Sequence, residues 1–160
     1  MQADELRLPT VAVSVHLAVG PNETWYERGE LFVADDHKRG EPVEALSSLL
    51  EGATQFVPFR TETLVRLVAK SAIVYVAIPG ETELPETELV LYDRQHRVEV
   101  LLVQGTRFEG LLFDSSPGSH PRAIDHLNSA SHFLRLWTAK ECVLIAKSQI
   151  ATVTERVEPS

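Results

Sequence analysis

Histidines and carboxylates are where chemistry would first be sought in this chain. His120, Asp125, His126 and His132 fall within thirteen residues, with Asp114 close before them. A metal centre needs such groups on one face at fixed spacing. Asp125 and His126 are adjacent, so on a helix their side chains diverge by about 100°. Neither H-x-x-x-H nor H-x-H occurs. The pattern predicts solvent-facing histidines that titrate near neutrality and no metal site. The stretch "SSPGSHP" sets Ser115, Ser116 and Ser119 beside His120. A serine nucleophile needs a sharp elbow, a base and an oxyanion hole. No G-x-S-x-G is present, and Ser/Pro/Gly clusters mark loops. The pairs Lys70–Ser71 and Lys147–Ser148 suggest a Ser–Lys dyad, but neighbours on a strand point to opposite faces. Cys142 is the single cysteine, so it makes no intrachain disulfide or cysteine cluster and reads as a buried thiol. With no glycine-rich phosphate loop either, the expectation is a protein that is not an enzyme and holds no cofactor.

Composition narrows the class of partner. Of 160 residues, 44% are hydrophobic and 24% charged, enough for one large domain or two small ones. The net charge of −8 opposes non-specific nucleic-acid binding, which needs clustered Lys and Arg. "MQADELRLP" has acids where a signal peptide has bases. No apolar run approaches the ~18 residues of a membrane helix. The expectation is a cytoplasmic protein. Trp25 and Tyr26, read as lying in a hairpin loop, and Trp137, near a strand end, are candidate contacts for a protein partner. Arg66, Lys70, Arg135 and Lys147 are the candidate contacts for RNA.

The elements that would position these residues are written twice. "LVAKSAIVYV" (Leu67 to Val76) returns as "LIAKSQIATV" (Leu144 to Val153), identical at six of ten positions. Phe56, Thr61 and Leu50 recur 77 residues later as Phe133, Thr138 and Leu127. "GELF" matches "GLLF" at an offset of 81, and "VSVHLAVG" matches "VEVLLVQG" at 85. Both offset changes fall at turn signals, where chains tolerate insertions. The sequence therefore predicts an internal duplication: an arm over 1–9, unit one over 10–79, an acidic linker over 80–89, unit two over 90–156 and a tail over 157–160.

Within a unit, alternation as in Val98, Val100 and Leu102 predicts strands, and Gly105 suits a hairpin turn. Pro42 and Pro121 suit helix starts. Val43, Leu46, Leu49 and Leu50 have helical spacing, as do Ile124 and Leu127. The reading is β-β-α-β-β-β, twice. The fold class is mainly β, a β-rich α+β: two tandem five-stranded, strongly bent sheets or small barrels, each with one short helix.

"VEVLLVQGTRFEGLLF…HFLRLW…VLIAKSQIATVTE" resembles the bacterial Hfq and Sm-like RNA-binding domains. Gly105, Gly110, Phe133, Lys147, Ile150 and Val153 carry the resemblance in unit two, and Gly20, Gly29, Phe56, Lys70, Ile73 and Val76 in unit one. It implies a five-stranded small barrel and an RNA pocket near the lysines. Two departures stand out. A helix is inserted between the second and third strands, and Ser71 and Ser148 follow the lysines where Hfq has histidine. Without that histidine and the aromatic before the lysine, the stacking platform is missing, worth about 1–3 kcal/mol per base. The resemblance thus implies a fold more than RNA binding. Small open sheets leave edge strands unpaired. The expectation is a binding or scaffolding module that takes a protein partner or self-associates.

Overall fold

Val13 and Val15 turn inward and Ser14 and His16 turn away, so a period of two drives Thr10–Gly20 into strand β1. It pairs with β2 (Glu23–Phe32), and α1 (Pro42–Glu51) follows. Then come β3 (Phe56–Arg60), β4 (Val65–Ala69) and β5 (Ile73–Pro79). The computed structural model describes residues 9–21, 23–33, 42–80, 94–114, 124 and 127–155. It divides into two units between Pro79 and Gly80. Unit two contains β6 (Arg94–Leu102), β7 (Arg107–Asp114), β8 (Phe133–Trp137), β9 (Glu141–Ala146) and β10 (Ile150–Glu155). Ile124 and Leu127 are helical, and Asn128 N–H donates to the Ile124 carbonyl at 3.0 Å. The predicted linker beyond Gly80, the tail, most of the N-terminal arm, and the loop after Asp114 with His120, Asp125 and His126 lie outside the described residues or side chains.

The chain is mainly β, and its two units share one strand order. Unit one runs β5-β1-β2-β3-β4 and unit two β10-β6-β7-β8-β9, with antiparallel neighbours. Among the described residues no pairing closes β4 onto β5 or β9 onto β10, so each sheet stays open. Register shifts at His16/Leu17 against β5 and at Ile150/Thr152 against β6 add bends. Unit one's core gathers Val13, Val15, Leu31, Val57, Phe59 and Val68, with Val43, Leu46 and Leu50 of α1 also buried. Unit two's core uses Val98, Val100, Leu112, Leu134, Leu136 and Val143.

The same local bonds recur 77 residues apart. Thr61 N–H donates to Leu64 O, as Thr138 N–H does to Glu141 O, both at 2.9 Å. Lys70 N–H donates to Gln55 O and Lys147 N–H to His132 O, again both at 2.9 Å. Two glycines set the packing of the second strand on the third. A Cβ on Gly29 would collide with the Arg60 carbonyl, and one on Gly110 with the Trp137 carbonyl. Only a bare Cα permits that approach.

Trp25 and Tyr26 lie in β2, not in a loop. The β1–β2 ladder runs from Thr10↔Phe32 to Gly20↔Glu23, leaving only residues 21 and 22 for the turn.

Gly29→Ala and Gly110→Ala should each cost about 1–3 kcal/mol, the range for forced overpacking. Urea denaturation followed by circular dichroism measures this. Gly20→Ala, whose Cβ would meet nothing nearer than 3.7 Å, should change little.

Candidate functional site

The β3–β4 hairpin has two apolar faces. Val57, Phe59 and Val68 point into unit one's core and are buried. Alternation therefore sends Phe56 and Pro58 of β3, and Val65, Leu67 and Ala69 of β4, to the opposite side. The register pairs them: Phe56↔Ala69 and Pro58↔Leu67. Phe56 is 56% exposed, Val65 57% and Leu67 71%. Leu64, in the preceding turn, is 40% exposed. In unit two the matching positions are Phe133 and Trp137 of β8 and Cys142, Leu144 and Ala146 of β9, all buried. Single exposed apolar residues are common, but a contiguous set on a strand at the end of a sheet marks an interaction surface.

A ladder of rings crosses β2, β1 and β5. His16 pairs in register with Tyr26 and with Tyr75. Its imidazole stacks on Tyr75 at 3.9 Å between centroids and lies 4.7 Å from Tyr26. Tyr26 is half-exposed, and its hydroxyl accepts from Arg28 Nε at 2.7 Å. Burial among these rings lowers the His16 pKa from 6.5 to about 4. Trp25 takes the other face of β2. The Arg66 guanidinium lies over its ring at 5.0 Å, while Arg66 Nε donates to Glu27 Oε2 at 2.9 Å. Trp25 and Arg66 therefore meet in one cluster, with Tyr26 on the opposite side of the strand. Trp137 ends β8 and is 5% exposed. Arg135 lies in mid-β8, partly exposed.

The two repeated lysines hold helix ends. Lys70 Nζ donates to the Gly52 carbonyl at 3.0 Å, just past the C-terminus of α1. Lys147 Nζ donates to Ser129 O at 3.4 Å, to Ser129 Oγ at 3.2 Å and to Ser131 Oγ at 2.9 Å. In both units the lysine sits 18 residues after the carbonyl it binds. A cation there meets carbonyls the helix leaves unpaired and the negative end of its dipole. Partial burial lowers the Lys70 pKa, and Glu51 pulls the other way.

Unit two carries a groove of about 400 Å³ between its helical residues and β10. Ile124, Leu127, Ile150 and Val153 supply apolar wall, with Lys147 and Glu155 also lining it. Glu155 Oε1 lies 2.7 Å from His96 Nδ1 of β6, and buried His96 Nε2 has no partner. Sequence reading missed the exposed hairpin face, the groove, the ring ladder and the His96–Glu155 pair. Only the hairpin face left a signal: Phe56, Pro58, Val65 and Leu67 alternate with the core residues of the same strands. Among the described residues no group of His, Cys, Asp and Glu has metal-binding geometry, and no helix is long and apolar enough to cross a membrane.

The ring ladder and the lysine anchors are both open to test. The folded His16 titrates near 4 and the unfolded one near 6.5, so between these values the unfolded chain binds more protons. The stability His16 supports is complete above pH 6.5 and is lost as pH falls toward 4. His16→Phe should flatten that part of the stability-against-pH curve, measured as wild type minus variant. Lys147→Met should cost about 1 kcal/mol through its lost hydrogen bonds, read as a lower urea midpoint. Set against known proteins, the chain matches no family model, no curated protein and no solved structure.

Proposed function

We propose that the chain is a non-enzymatic, cytoplasmic binding and scaffolding module for protein partners, built from two duplicated Sm-like units. The observation that carries this reading is the open apolar face of the β3–β4 hairpin, with Leu67 at its centre, 71% exposed. A face of that kind gains from burial about 25 cal/mol per Å², and the matching face in unit two is buried. The duplicated, Sm-like origin draws support from the shared strand order and from the bonds that recur 77 residues apart. An RNA-binding role through Lys70, Lys147, Arg66 and Arg135 has less support. Both lysine ammonium groups bind helix-end carbonyls, and Arg66 pairs with Glu27.

A photo-reactive benzoylphenylalanine at position 67, irradiated in cells, tests this. Polypeptide adducts should form at 67, should be absent with the probe at exposed Ala53, and should vanish when Val65→Glu is added. Adducts to nucleic acid alone, or none at 67, contradict the protein-binding reading.

A further inference from the structure

We infer that the partner of this face is a second copy of the chain, with β4 of one copy docking head to tail along β10 of the next. The inference rests on the protein-binding reading above and names its partner.

Equivalent strands of the two units differ in exposure. The units have the same strand order, yet different ends of that order stay open. The fourth strand of unit one, β4, is exposed at Val65, Arg66 and Leu67, whereas its counterpart β9 has Cys142 through Ile145 fully buried. The fifth strand reverses this. In β5, Ile73, Val74, Val76, Ala77 and Ile78 are buried, whereas β10 exposes Ala151, Thr152, Thr154 and Glu155. Both exposed strands end the strand order, so among the described residues neither has a hydrogen-bonded neighbour on its outer side. One strand lacks a cover at the fourth position and the other at the fifth. A symmetric contact of β4 with β4 would leave β10 bare. A contact of β4 with β10 uses both.

The chemistry matches. β4 contributes five residues and β10 six, so their ladders are of similar length. β4 brings Val65 and Leu67. β10 lies beside the groove walled by Ile124, Leu127, Ile150 and Val153, where Ile124 is itself 54% exposed. Adding a strand to an open edge supplies main-chain hydrogen bonds, and the groove supplies seats for alternate side chains. Because the two surfaces differ, the contact is heterologous, and copies close into a ring or run on as a filament.

Sedimentation velocity on the purified full chain tests this. Wild type should gain mass with concentration. Leu67→Glu and Ala151→Glu should each weaken association at least tenfold. Both sites are exposed, and far-ultraviolet circular dichroism and melting curves check that the variants fold. Mixed together, the two variants should form a one-to-one dimer and stop there, because Leu67→Glu keeps a sound β10 and Ala151→Glu a sound β4. Wild type that stays at one chain's mass overturns the inference. So does failure of the mixture to pair, or an Ala151→Glu protein that still associates. Photo-adducts at position 67 to a different protein, with wild type monomeric, overturn this inference and leave the protein-binding reading standing.

Discussion

A β-hairpin that is apolar on both faces has to be covered twice. In unit one, Val57, Phe59 and Val68 find their cover in the unit's own core. Phe56, Val65 and Leu67 have none within the described residues. An open five-stranded sheet gives this requirement its direction, because its last strands also present unpaired backbone groups. The apolar side chains and the open ladder coincide on β4, so one docking event satisfies both. That coincidence makes the hairpin an adhesive surface rather than a catalytic one.

Smaller devices keep the hairpin in position. Gly29 and Gly110 let the second strand approach the carbonyl of the third closely. Lys70 and Lys147 fasten the end of the helical segment to the short turn before the last strand. The Trp25–Arg66–Glu27 cluster ties β4 back to β2. Each contact is modest in free energy, since exposed ion pairs contribute about 0–1 kcal/mol. Their combined effect is to fix where β4 stands, and with it the register at which a partner strand can add.

Much of the fold is legible in the residues. Alternation in Val98, Val100 and Leu102 locates β6, Gly105 with its positive φ locates the turn, and Pro42 opens α1. The equality of Lys70 and Lys147 is visible as sequence identity. What each lysine does is not, because the bond spans 18 residues and depends on where a helix ends. Local composition points Trp25 and Tyr26 to a loop, because "PNETWYERG" is rich in turn-forming and charged residues. The ladder overrides local preference, as long pairing with a neighbouring strand does. The ring stack of His16, Tyr26 and Tyr75 joins residues from three strands, so no spacing within one segment announces it. The open face is hidden for a different reason. Leu67 and Leu144 are the same residue in the same motif, and only their surroundings in the fold make one exposed and the other buried.

The most direct measurement is amide hydrogen exchange across a range of protein concentration, read over Val65–Ala69 and Ile150–Glu155. Roughly alternate amides of a terminal strand face outward. Those in β4 and β10 should slow together as concentration rises, while amides in α1 keep a constant rate. Exchange in both strands that stays fast and indifferent to concentration would contradict the account.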